Sequence, residues 1–313
     1  MATIQTVTDW VAVHQVLLIR GTCFAAVFAL MAVWEIRAPA RALKRLKGLR
    51  WVNNLALVVL NTVLLRLLFP AAAVGMAAFA ADQGWGLLHH FALPLWLAVA
   101  IALIALDFVT WLYHVMVHAI PLLWRLHRVH HADPDYDLTT GVRFHPFEIL
   151  LSMLVKFAAV AVLGPPVVAV VLFEILLNAS SMFNHGNVRL PARLEPVLRW
   201  FIVTPDMHRV HHSVEDDESN SNFGFNLPWW DRLFGTYRAQ PRRGHQGMNI
   251  GIHGFSAPHE VSWLPGLLVL PFRGRIGGYA INRRQWSAPQ DAPGAQWHHR
   301  GAPVESQSDS TTP

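Results

Sequence analysis

The sequence predicts an all-α, polytopic membrane protein, and three observations predict it. The chain is 53% hydrophobic and only 14% charged, which is more apolar than a soluble domain of this length. Several apolar stretches approach the roughly 20 residues that cross a hydrocarbon core as a helix. Two of them are divided by Gly164-Pro165-Pro166, a break no continuous helix tolerates, so they read as a helical hairpin. The formal charge of +5 raises nucleic acid as a partner, yet the basic residues sit beside apolar runs, which suits a membrane surface. Cys23 is the only cysteine; internal disulfides, four-cysteine iron–sulfur clusters and cysteine-based zinc sites are excluded.

Taken in order, residues 1–9 lack a basic n-region and a small-residue cleavage site, so the first span is expected to stay in place. Residues 16–34 form that span, apolar apart from Arg20, which is expected to snorkel to an interface. Arg37, Arg41, Lys44, Arg45, Lys47 and Arg50 then crowd a short loop that the positive-inside rule puts in the cytoplasm, with the N-terminus outside. Residues 55–70 return across the membrane, and 71–88 read as a weakly polar link. Residues 91–110 cross back, and Pro121 closes that helix. Residues 147–163 and 167–182 are the hairpin, apolar except for Glu148, Lys156 and Glu174. Because a hairpin enters and leaves on one side, everything from His114 to His145 and from His185 to His212 shares one membrane face. Residues 264–272 are too short to span and are expected on the surface or against the cytoplasmic region. The organisation is therefore N-terminal spans over 1–106, a histidine-rich domain over 107–240 that includes the hairpin, a surface or interfacial segment over 241–286, and a disordered tail over 287–313.

Histidine is where composition departs from the ordinary, with 18 in 313 residues, most of them between His114 and His212. Three patterns concentrate them: His114-x-x-x-His118, His127-x-x-His130-His131 and His208-x-x-His211-His212. On a helix, positions i, i+3 and i+4 share a face, so each triplet aims at least two rings at one point. At this histidine frequency an HxxHH pattern arises by chance about 0.06 times per chain, and this chain has two. The eight imidazoles therefore read as metal ligands, and eight nitrogens exceed one tetrahedral ion, so two metals are implied. Imidazole suits iron, copper, nickel and zinc alike; the histidines by themselves do not choose. His145 and His185 stand at the ends of the hairpin helices that face the cluster, and both are candidate ligands. Asp107 lies two helical turns before His114 on the same face, where an intramembrane acid needs a partner. Glu148 can either orient an imidazole or pair with Arg143. Asn187 is the third candidate to stand behind a ligand.

His89 and His90 fall on the opposite face, and His298 and His299 in the tail. His14, His245, His253 and His259 lack neighbours at ligand spacing. Trp85, Trp96, Trp111 and Trp124, near span ends, read as interfacial belt residues.

At this point the sequence resembles the fatty acid hydroxylase superfamily, also called the sterol desaturase family. The resemblance runs from about Asp107 to Tyr237 and rests on the three histidine patterns, Arg143-Phe-His-Pro-Phe-Glu148, Phe183-Asn-His-Gly-Asn187 and the closing stretch from Asn222 to Tyr237. It implies a helical cytoplasmic cap holding a histidine-rich dimetal site, with ligands at His114, His118, His127, His130, His131, His208, His211 and His212. His185 looks like the family's extra histidine between the second and third patterns; Ser181 stands where some members place another. The resemblance further implies two iron ions that activate O2 and oxidise an unactivated C–H bond of a lipid or similarly apolar substrate. Hydroxylation is the favoured outcome, and desaturation by the same site is the alternative. With no dinucleotide fingerprint and one cysteine, electrons must come from a separate donor, such as a ferredoxin or small cytochrome with its reductase. The expected setting is a bacterial inner membrane with the metals on the cytoplasmic face. A histidine-lined metal transporter is the binding-class rival, disfavoured because its ligands belong at mid-membrane depth.

Overall fold

The computed structural model describes residues 2–44 and 47–274, with side chains from residue 15 onward. Arg45, the tail expected over 287–313, Arg275, His298, His299 and the side chain of His14 lie outside the described residues. Within them, secondary structure is helical, with isolated bridges and no strand.

The principal helices are α1 (Ala2–Arg37), α2 (Lys47–Leu68), α3 (Ala72–Asp82), α4 (Leu95–Ala119), α5 (Pro121–His131), α6 (Pro146–Leu163) and α7 (Val167–Asn184). Short helices follow, among them α8 (Glu195–Leu198), α9 (Pro205–His211), α10 (Asp216–Ser219) and α11 (Trp229–Leu233). Five stretches are long and apolar enough to cross a membrane: Gln15–Arg37, Lys47–His90, Leu95–Ala119, Pro146–Leu163 and Val167–Asn184. The expected link over 71–88 is thus largely helical. Pro70 interrupts the chain between α2 and α3, and Ala73, Ala77 and Ala80 are fully buried, small residues that let α3 lie close against α6 and α7.

The hairpin forms as its break predicts. Gly164 caps α6 in the left-handed conformation at φ +62°, which a glycine adopts without steric cost. A Cβ there would stand 2.4 Å from the carbonyl oxygen of Trp85, so the hairpin tip and the 85–90 segment are in direct backbone contact. Leu106, Met153, Val160, Val170 and Phe173 fill the space between α3, α4, α6 and α7.

At the other end of the bundle, α5, α9 and the loops around them form a cap, and buried charge ties it to the spans. Arg50, read from sequence as a loop cation, is fully buried inside α2. It donates to Asp133 at 2.7 Å and Asp137 at 2.6 Å, both also fully buried. Arg41 is likewise committed, donating to the carbonyls of His245 and Met248. Neither is a free interfacial charge, and Lys47 is paired with Glu35 at 3.4 Å, which shortens the basic loop to Arg37 and Lys44 among the described residues. Glu35, at the end of α1, accepts from the backbone N–H of Leu138 and Asn187. The segment Leu264–Val269 lies on the cap, with Leu267 and Leu270 buried against Trp124 and Val129.

Candidate metal centre

The last two turns of α4 carry His114 and His118 one turn apart. Ile120 is extended, and Pro121 then starts α5 at a position where its missing N–H costs nothing. The sharp turn folds α5 back beside α4, bringing His127, His130 and His131 alongside. From the far side α9 begins at Thr204, whose hydroxyl accepts from Met207 N–H, and presents His208, His211 and His212. The C-terminal end of α7 adds His185.

The rings sort into two groups. His114, His118, His127, His131 and His211 each bring a ring nitrogen within 4.8 Å of all the others; His130, His185, His208 and His212 do the same. Each HxxHH pattern is divided between the groups. Its i, i+4 pair goes to one and its middle histidine to the other, so α5 and α9 both bridge the two. All nine rings are buried.

Nε2 of His114 and His127 are 3.1 Å apart, those of His118 and His131 are 3.2 Å apart, and His185 Nε2 lies 3.1 Å from His130 Nε2 and 3.2 Å from His212 Nε2. Two nitrogens about 2.1 Å from one ion at tetrahedral or octahedral angles stand about 3.0–3.4 Å apart. His211 leaves its buried Nε2 without a hydrogen-bond partner, an orphan that a cation would satisfy. Burial, followed by the neighbouring rings, pushes His130, His131, His185, His208, His211 and His212 well below the usual histidine range, so they are the neutral imidazoles that ligation requires. The donor set therefore fits two metal ions.

Groups behind the rings fix their orientation. His127 Nδ1 donates to Glu148 Oε1 at 2.6 Å, His114 Nδ1 to the Phe223 carbonyl at 2.8 Å, and His211 Nδ1 to the Ser221 carbonyl at 2.8 Å. His185 Nδ1 meets the Ser181 carbonyl at 2.8 Å, and His118 Nδ1 meets Asn220 Oδ1 at 3.2 Å. Glu148 is thus the partner of an imidazole. Arg143 is engaged elsewhere, with the Val129 and Val261 carbonyls and Asp133.

Three candidates stand away from the rings. His145 belongs to neither group: its Nδ1 caps α6 by accepting from Phe147 N–H, and Nε2 meets the Leu268 carbonyl. Asp107 accepts from Asn226 and the Trp230 indole, so it holds the closing 222–237 stretch rather than a histidine. Asn187 exchanges hydrogen bonds with the Arg41 backbone and ties α1 to the cap. Ring packing was hidden from the sequence. Phe144 stacks on His130 at 4.6 Å, and Phe223 meets His114, His118 and His211 edge-on. Trp124, expected in an interfacial belt, is 1% exposed and lies against His118 and His131. Trp111 is buried too, donating to Asp231 at 3.0 Å, whereas Trp85 and Trp96 are exposed as belt residues are.

Residues 99–236, which contain every one of the nine histidines, match the family model described as Fatty acid hydroxylase. This segment is a fatty acid hydroxylase domain. Its chain is 28% identical over 163 residues to an alkylglycerol monooxygenase of Xenopus tropicalis, covering 50% of this chain and 34% of that protein. It is 30% identical over 161 residues to an ornithine lipid hydroxylase of Rhizobium tropici, covering 51% and 47%, and 26% identical over 171 residues to a methylsterol monooxygenase of Arabidopsis thaliana, covering 53% and 64%. The chain therefore spans between about a third and about two thirds of the length of these curated relatives. No solved structure matches it.

A cavity of about 330 Å³ runs from the hydroxylase domain's rings into the bundle. His114, His127 and Glu148 line its cap end, and Leu65, Met153 and Leu177 line it between the helices. Its volume falls in the range of sites for single small ligands.

Proposed function

We propose that the chain is a membrane-bound, O2-dependent di-iron oxygenase that hydroxylates an unactivated C–H bond of a lipid or similarly apolar substrate. The observation that carries this reading is the cavity: beside two buried histidine groups, His114 and His127 of the five-histidine group line a largely apolar space that continues between the membrane-spanning helices. A hydrolase would need a water path to its metals, and a transporter would need ligands spread through the span. Here both groups sit at one end of the bundle.

In this reading His114, His118, His127, His131 and His211 hold one iron and His130, His185, His208 and His212 the other, and the pair supplies O2 activation and C–H oxidation when bound. The chain's own residues do the rest. Glu148, Asn220 and the carbonyls of Phe223, Ser221 and Ser181 hold the rings so that Nε2 points inward. Val117, Phe144 and Phe225 exclude water and present hydrocarbon to the rings. Substrate names attached to the relatives, an alkylglycerol, an ornithine lipid and a methylsterol, support a lipid. Electrons come from a separate donor, a ferredoxin or small cytochrome. The basic residues Arg37 and Lys44 support placing the cap in the cytoplasm of a bacterial inner membrane.

Metal analysis of the purified chain combined with lipid mass spectrometry of cells with and without it tests the proposal. About two irons per chain and a product heavier by one oxygen are expected; a product lighter by two hydrogens would instead establish desaturation. Stoichiometric zinc, with turnover unaffected by removing O2, would overturn the oxygenase reading.

A further inference from the structure

The cavity has a charged floor. Ten residues into α6 from its cap end, and ten residues back from the cap end of α7, Lys156 and Glu174 face each other at 3.1 Å, and Arg20 of α1 closes on the same carboxylate at 3.0 Å. At 1.5 Å per residue the cluster lies about 15 Å below the cap, near the middle of a hydrocarbon core about 30 Å thick. Arg20 does not snorkel to an interface; it turns inward. Glu174 is 2% exposed, while Arg20 and Lys156 keep 28% and 21% of their side chains open, and all three line the cavity that reaches His114 and His127.

Two cations share one carboxylate, so the cluster carries an excess positive charge in the lowest-dielectric part of the molecule. The other acid lining the cavity, Glu148, is eight residues away along α6 and holds His127 through Oε1. Uncompensated charge at such depth is costly, and intramembrane ionisable groups mark ligand paths. An anion entering the cavity would complete the pairing.

We propose that Arg20 and Lys156 form an anion subsite that receives the acidic end of a single-chain amphiphile, a carboxylate or a phosphate, with the apolar body extending toward the histidines. The proposal rests on the oxygenase reading for its use and on the cavity for its existence. Glu174 orients both cations without neutralising them together. Along α6 the cluster and Glu148 are eight residues apart, about 12 Å, so the subsite sets which carbon of the body reaches the rings.

The test is binding to metal-free full-length protein in nanodiscs of zwitterionic lipid, measured by calorimetry with decanoate, decyl phosphate, decanol and decylamine. Charge-assisted contacts predict that at least one anion binds about tenfold or more tighter than decanol, with decylamine weakest; which anion leads separates carboxylate from phosphate. Lys156→Met should bring decanoate and decanol to within about twofold of each other, and Lys156→Arg should retain the preference. If Lys156→Met lowers the melting temperature, Arg20→Gln, on a different helix, reads the same preference. Equal binding of decanol and both anions by the unsubstituted protein overturns the subsite, as does an undiminished preference in Lys156→Met or Arg20→Gln. Neither result touches the oxygenase reading, which is read separately from iron content and product mass.

Discussion

The two histidine groups use one residue type on shared helices, yet they are held in place by different forces. In the five-histidine group, His114, His118, His127 and His211 each have a hydrogen-bonding partner on Nδ1, a carboxylate in the case of His127. In the four-histidine group, His130 and His212 have none there; instead His130 stacks on Phe144 and His212 stacks on His131 at 4.4 Å, both nearly parallel at 11°. A hydrogen bond fixes tautomer as well as plane and raises ligand basicity, whereas stacking fixes the plane alone. The division is not complete, since His131 of the first group lacks an Nδ1 partner and His185 of the second has the Ser181 carbonyl, but hydrogen bonding predominates in the first group, and the expectation is that it binds metal more tightly than the second.

The most damaging way to probe that contrast is to remove a ligand. His211→Ala should empty the five-histidine site, taking bound metal from about two per chain to about one or fewer and abolishing product, as read by metal analysis and lipid mass spectrometry. Retention of both metals would break the assignment of the groups. Arg50→Leu comes next: leaving Asp133 and Asp137 buried without their cation should cost about 3–5 kcal/mol of stability, seen as a lowered melting temperature. Since α5 serves both groups, both sites should weaken together, which makes this variant the control for the comparison. Glu148→Gln keeps an acceptor behind His127 but removes its charge, and should reduce affinity of the five-histidine site by about 10–100-fold in a chelator competition. Phe144→Leu should change the four-histidine site by less than about tenfold, through lost ring contact of about 0.5–1.5 kcal/mol. If it matches Glu148→Gln, stacking orients as strongly as hydrogen bonding and the contrast fails. In the unsubstituted protein, chelator should strip the two metals in two phases, the four-histidine site first.

Much of this was legible in one dimension. The spans, the Gly164 break and the three histidine patterns depend on residues within a few turns of each other, and local spacing reports them well. Group membership did not follow from the patterns, because His130 and His211 leave their own triplets to join rings brought from other helices. Arg50 looked like a loop cation since its partners lie 83 and 87 residues away. Trp124 looked interfacial because nothing nearby in sequence shows that the cap closes over it. His145 and Asn187 sat in the right motifs but serve the helix end and the α1 junction, and Asp107 serves the closing stretch. In each case the missing information was a long-range partner.

His114 and His118 ride on the final turns of a 25-residue spanning helix, while His208, His211 and His212 lie about ninety residues later on a short helix outside the spans. The order of synthesis follows from this. The α4 segment leaves the ribosome and enters the bilayer long before α9 exists, so no metal can find a complete site until the hairpin has inserted and α9 has docked. Metal acquisition is then a late step of biogenesis, performed on an embedded scaffold rather than on a nascent soluble chain, and a cell starved of metal should accumulate inserted protein awaiting its ions rather than fail to insert it.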